Sequence, residues 1–196
     1  MTRPVRALAV LLALACAPPA GAQAAARHDN VASAIAESDG SHVSDLAWSV
    51  VRQRGGDVDQ LNSATAIARC TDCRATAIAF QVVLVSGGAG ALVPHNRAVA
   101  VNDQCTRCVV AAEARQFVRV VDEPAKFTDE GMQELADIRQ DLRTLAGADL
   151  SVAELDAAVE RDEARVSDVL ATEVVPKSDP DGAVDVLDAR LLQDEG

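Results

Sequence analysis

Residues 70–83 read CTDCRATAIAFQVV and residues 105–118 read CTRCVVAAEARQFV. Each stretch opens with a Cys-x-x-Cys pair, and two such pairs support three kinds of chemistry. Four thiolates can hold a zinc ion in a tetrahedron, a pair with a lowered thiol pKa can exchange disulfides, and oxidised pairs can staple a fold. A zinc site would use Cys70, Cys73, Cys105 and Cys108. The 31 residues between the pairs exceed the spacing of about 15 to 20 found in ribbon-type sites. Redox activity needs a thiolate, usually at a helix N-terminus; neither pair is followed by a helical pattern, and Asp72 disfavours the extra negative charge. Structural disulfides are the reading the residues favour. The ends of a four-residue turn lie within about 7 Å, a Cα separation that a disulfide accepts. Four cysteines allow three pairings, of which the local bonds Cys70–Cys73 and Cys105–Cys108 come first and cross-links between neighbouring units second.

Other candidates carry less. Ser86-Gly87-Gly88-Ala89-Gly90 lacks the Gly-Lys-Ser/Thr ending of a phosphate loop, and its glycine pair recurs at Gly55-Gly56, so it reads as a connector. His28, His42 and His95 have no metal-ligand spacing. A triad of His42 and Asp45 with Ser44 or Ser49 would have to ignore geometry. Glu134, Asp137, Asp141 and Glu160 read as a solvated helical face.

The cysteine pairs belong to a repeat. Residues 30–56 align without gaps on residues 62–88 at an offset of 32, and a third copy begins at Asn96 with one residue inserted before its cysteines. Asn30 matches Asn62, Trp48 matches Phe80, and Gln81 matches Gln116. Each unit holds two stretches of period-two alternation around a turn, with Ala on one face and Val, Ile, Thr or Phe on the other. Such alternation predicts strands rather than Ala-rich helices, and the small Ala face lets a neighbouring backbone approach closely. In the first unit Ser38-Asp39-Gly40-Ser41 occupies the place of Cys70-Thr71-Asp72-Cys73, and Asp-Gly between alternating stretches signals a hairpin. The expectation is therefore an α+β fold: an antiparallel sheet of three repeated β-hairpins, about six strands over residues 30–121, followed by a helical hairpin over residues 128–175.

In that second part, Thr128 caps a helix whose first turn holds Asp129 and Glu130, and Leu135, Ile138, Leu142 and Leu145 form its stripe. Gly147 marks a stop. Ser151 and Glu154 have the form of a capping box before Leu155, Val159, Val166, Val169 and Leu170. The two stripes are expected to pack on each other first, and to cover a sheet or a second copy otherwise. Residues 176–196, acidic and interrupted by proline, read as a disordered tail.

The N-terminus reads as a signal peptide over residues 1–24, with Arg3 and Arg6, an apolar run from Ala7 to Ala15, and Ala22-Gln23-Ala24 at the cleavage site. A lipid anchor through Cys16 is a minor alternative, since Ala13-Leu14-Ala15 fits a lipobox poorly. Loss of the leader takes away two Arg and no acids, so the net charge moves from -12 to -14, and four cysteines remain. An even count in an exported chain favours disulfides. The acidic surface argues against nucleic acid, and with three Phe, one Trp and no Tyr there is no aromatic platform for bases or sugars. No membrane span is expected in the mature chain.

The unit N-x-A-x-A, then C-x-x-C, then A-x-A-x-Q-V-V resembles a family of exported, Ala-rich actinobacterial proteins that carry it two or three times ahead of a helical segment. Some relatives are labelled peptide zinc metalloprotease proteins, but this chain has no zinc-protease motif. The resemblance implies location and architecture rather than a reaction. The expectation is a non-enzymatic secreted or cell-envelope module without cofactor, structural or binding an unknown protein partner or itself. The alternatives are an exported zinc-binding or thiol-redox protein and an accessory of a membrane protease or export system.

Overall fold

The computed structural model describes residues 28–177. The expected leader, Cys16 and all but the first two residues of the expected tail lie outside them.

Six strands come first among the described residues: β1 (Asn30–Ala36), β2 (His42–Arg54), β3 (Val58–Ala68), β4 (Arg74–Ser86), β5 (Leu92–Asn102) and β6 (Val109–Val121). They do not form hairpins. Odd strands make one sheet in the order β1-β3-β5 and even strands a second in the order β2-β4-β6, and every pairing within the two sheets is parallel. The expected antiparallel sheet is thus replaced by a parallel solenoid of three coils. Each coil runs along one sheet, crosses at the turn that holds the cysteines or their Ser-Asp-Gly-Ser counterpart, and returns along the other. The register places like on like: Asn30 pairs with Asn62 and Asn62 with Asn96, while Gln81 pairs with Gln116.

The alternating pattern explains this choice over a hairpin. Inward positions of the central strands are Ala64, Ala66 and Ala68 on β3 and Ala75, Ala77 and Ala79 on β4, all without solvent exposure. Side chains this small bring the sheets close enough for one to hydrogen-bond the backbone of the other. Asn30 Nδ2 donates to Ala47 O at 3.2 Å, Asn62 Nδ2 to Ala79 O at 3.1 Å and Asn96 Nδ2 to Ala114 O at 2.9 Å. These buried amides also need partners along the sheet. Parallel stacking in register supplies them, since Asn30 Nδ2 donates to Asn62 Oδ1 and Asn62 Nδ2 to Asn96 Oδ1, both at 2.8 Å. A hairpin cannot set identical residues of successive repeats side by side. The Asp-Gly turn signal is real, with Gly40 at φ 70°, but the turn bridges two sheets instead of two neighbours in one ladder.

The outer face of β2-β4-β6 carries the larger apolar residues Ile78, Phe80, Val82 and Leu84, and the helices cover it. Helix α1 (Asp129–Gly147) starts at Thr128, whose side chain accepts from Gly131 N. Helix α2 (Val152–Thr172) starts at the Ser151–Glu154 capping box. Leu135, Ile138 and Leu142 of α1 and Leu155, Val159 and Val166 of α2 pack together and on the sheet in one cluster. The stripes therefore do two of the three jobs open to them, packing on each other and covering the sheet. Two short strands, β7 (Ala125–Phe127) and β8 (Val174–Pro176), pair antiparallel at the open end of the helical pair; nothing in the sequence pattern announced them.

Candidate functional site: the stacked cysteine turns

The turns of the three coils lie one above another. Coil one turns at Ser38–Ser41, coil two at Cys70–Cys73 and coil three at Cys105–Cys108. Backbone bonds tie them: Gly40 N donates to Thr71 O and Asp72 N to Thr106 O, both at 2.9 Å, and Val109 N donates to Cys73 O at 3.0 Å. The third turn position is left-handed throughout, as Gly40, Asp72 and Arg107. The residue inserted in coil three is absorbed by a second left-handed position, Gln104 at φ 56°. Across the outside of the turns Arg107 makes a two-pronged contact with Asp72, both bonds 2.5 Å. It holds Asp72 below the usual carboxylate range, chiefly through the hydrogen bond. Both partners are exposed, so the pair adds little stability.

The sulfurs point inward. Cys70 pairs with Cys73 and Cys105 with Cys108 as disulfides, with a Cα separation of 6.0 Å in each. Cys70 and Cys73 are buried, Cys105 and Cys108 half-buried. The two pairs meet: Cys73 Sγ lies 3.1 Å from Cys108 Sγ and 3.7 Å from Cys105 Sγ.

Three features of this cluster decide what it can do. First, carbonyl oxygens surround it: Ala36 O is 3.1 Å from Cys70 Sγ, and Cys70 O is 2.8 Å from Cys105 Sγ and 3.1 Å from Cys108 Sγ. A thiolate facing these partial negative charges is disfavoured, whereas a neutral disulfide is not. Second, the nearby cations are already engaged. Arg107 holds Asp72, Arg69 holds Glu37 and Asp103, and Arg74 reaches Asp149 and Leu150 O. No helix begins at either pair, so the usual means of lowering a thiol pKa is lacking. Third, the sulfurs of Cys73, Cys105 and Cys108 lie within 4.8 Å of one another. A tetrahedral zinc site with bonds of about 2.3 Å sets sulfurs about 3.8 Å apart, so three of the four sulfurs, those of Cys73, Cys105 and Cys108, are close enough together that they could hold a metal were the disulfides opened.

The remaining candidates are not assembled. His42 and Ser44 point outward from β2 and Asp45 and Ser49 inward, by strand alternation, and the Asp45 carboxylate accepts from Ser33 N at 2.6 Å. His95 Nε2 is 3.6 Å from Asp59 Oδ1 in an exposed groove that Asp29 also lines. Gly55-Gly56 and Gly87-Gly88 are left-handed connectors linked by Gly55 N to Ser86 O. Of the helical acids, Glu134 and Asp141 join Asp162 around Arg165, at 2.6–2.8 Å, so these two are not merely a solvated face. The residues that sequence reasoning passed over are the amide columns, Asn30-Asn62-Asn96 and Gln81-Gln116. Their recurrence at equal register was visible; that they face inward was the missing step. Comparison with protein-family models, with curated proteins and with solved structures finds no match to this chain.

Proposed function

We propose that this chain is a non-enzymatic, extracytoplasmic structural or interaction module, a short solenoid whose cysteine turns are closed by local disulfides. One observation carries the reading. The cysteine pairs occupy turns that the first coil makes with Ser38-Asp39-Gly40-Ser41, so sulfur closes a turn the fold already makes. The carbonyl oxygens packed on the sulfurs support disulfides over reactive thiolates. Export rests on the leader-like residues 1–24, and among the described residues no helix is long and apolar enough to cross a membrane. Mass spectrometry of the exported protein, alkylated with and without prior reduction, tests this. The expected result is two local disulfides that resist mild reductant. Free cysteines in the exported protein would overturn it.

A second reading has its own observation, the three sulfurs within 4.8 Å. In it Cys70, Cys73, Cys105 and Cys108 are thiolates that hold one zinc ion. The same experiment separates the two, because four alkylated thiols plus one bound zinc in the native mass belong only to the metal reading.

A further inference from the structure

The two ends of the solenoid differ. At the first coil, Ala32, Ala34 and Ala36 are fully buried, and the Ser33 N–H on the edge of β1 is taken by the Asp45 carboxylate. At the last coil the corresponding Ala98 and Ala100 are exposed, as is nearly all of β5. Among the described residues β5 and β6 are the terminal strands of their sheets, and β7 and β8 pair with each other rather than with them.

The amide columns stop at this end with unmet bonds. Asn62 Nδ2 reaches Ala79 O in its own coil and both Asn96 Oδ1 and Arg115 O in the next. Asn96 Nδ2, among the described residues, reaches only Ala114 O of its own coil. The second column runs the other way: Gln116 Nε2 donates to Gln81 Oε1 at 2.7 Å, and Gln81 Nε2 donates to His28 O. Its last acceptor, Gln116 Oε1, is a buried atom with no partner. A buried acceptor without a partner is costly, although Gln60 Oε1 of the middle coil shares that state, so the open end is marked chiefly by Asn96 and the exposed β5.

We propose that the last coil is a docking end for a second copy of this chain, end against end, so that β5 and β6 of one copy lie on β5 and β6 of its partner. The inference rests on the interaction-module reading and names its partner. The self-match follows from the groups on offer. A two-fold interface requires one surface to hold both halves of each contact. This end holds the exposed Asn96 donor and both N–H and C=O groups along the edges of β5 and β6, whereas on the edge of β1 the Ser33 N–H is already taken by Asp45. Pro94 has no N–H, so strand pairing on β5 is confined to the stretch from Asn96 onward. The end is only as wide as two thin sheets and as long as an 11-residue strand, about 36 Å. Association on so narrow a strip is reversible.

Sedimentation of the full, disulfide-intact chain over a wide concentration range tests this. The expected result is a monomer–dimer equilibrium that stops at two, together with slowed amide exchange confined to β5 and β6 as concentration rises. Ala98→Lys, at an exposed position where the longer side chain can reach solvent, is expected to weaken dimerisation at least tenfold. Ser33→Lys, on the first coil, is expected to leave it unchanged. A monomer at every concentration overturns the inference, as does growth past two or a dimer that loses affinity with Ser33→Lys. Should Ala98→Lys fail to fold, the exchange pattern of the wild-type chain decides. A monomer that still holds both local disulfides would sink this inference alone and leave the module reading standing.

Discussion

Asn62 shows how much one side chain holds in this fold. It is fully buried at the centre of the inward column, donates to three acceptors and accepts from Asn30. Replacement by Ala would fill the site with the residue type already used along both sheets, so the cost is not a large cavity. It is the loss of a donor for Ala79 O and Arg115 O inside the solenoid and of the link from Asn30 Nδ2, which keeps Ala47 O and Phe80 O, to the exposed Asn96. With about 1–3 kcal/mol for each buried polar group left unpaired, and some relaxation between them, Asn62→Ala is expected to destabilise by about 3 kcal/mol. Asn96→Ala, at the exposed end of the column, is expected to cost about 1 kcal/mol or less. Urea denaturation of the two variants measures both; equal losses would mean that the column is not what joins the coils.

At the scale of an element, the cysteine turn is a four-residue arc that three coils build in two ways. The hydrogen bonds from Gly40 N to Thr71 O and from Asp72 N to Thr106 O do not involve sulfur, and the left-handed third residue is shared. Opening a disulfide here removes a constraint on a very small loop, worth about 2 kcal/mol by loop entropy. Replacement of Cys105 and Cys108 by Ser, in the pattern of Ser38 and Ser41, is therefore expected to leave a folded chain that is about 2 kcal/mol less stable. Denaturation in the presence and absence of reductant is the measurement. A variant that fails to fold in both conditions would show that sulfur, rather than the backbone ladder, makes the turn. The helices add a different kind of element. Each begins at a side-chain cap legible in sequence, but their shared apolar stripe is satisfied only by the outward residues of the β2-β4-β6 sheet, above all Ile78, Phe80 and Leu84.

Across the whole molecule, the helical cover is held to the sheet by apolar packing and by an ion network around Arg115, while a second network around Arg165 ties the two helices to each other. Arg115 of β6 reaches Asp156 and Glu163 of α2 at 3.4 and 2.8 Å. Two carboxyls in these networks are held above their ordinary range, Glu113 and Asp162. Burial is the leading cause for both, partly offset by Arg115 and Arg165 respectively. A raised folded pKa means that the folded state binds the proton more tightly than the unfolded chain. That contribution is fully present below the unfolded values, 4.5 for Glu113 and 3.8 for Asp162, and is lost as pH rises through the folded ones. The double variant Glu113→Gln, Asp162→Asn is thus expected to gain melting temperature relative to wild type as pH is raised from about 4 to 7. A difference between the two that does not vary over that range would overturn the assignment.

Much of this architecture could be read from the chain. The repeat at an offset of 32, the strand character of the Ala/Val alternation, the position of the cysteine pairs at turns, and both helices with their caps are local properties of composition and spacing. What could not be read locally was the partner of each strand. Ser38-Asp39-Gly40-Ser41 fits a turn within one ladder and an arc between two sheets equally well, because the same left-handed residue serves both. The choice is made by long-range hydrogen bonding: Asn30, Asn62 and Asn96 face inward, where only the same residue of the next coil can reach them. That choice in turn decided the site. A hairpin sheet would have left the two cysteine turns as separate tips, whereas parallel stacking sets Cys73 against Cys105 and Cys108 and leaves one end of the solenoid with its amide column unfinished.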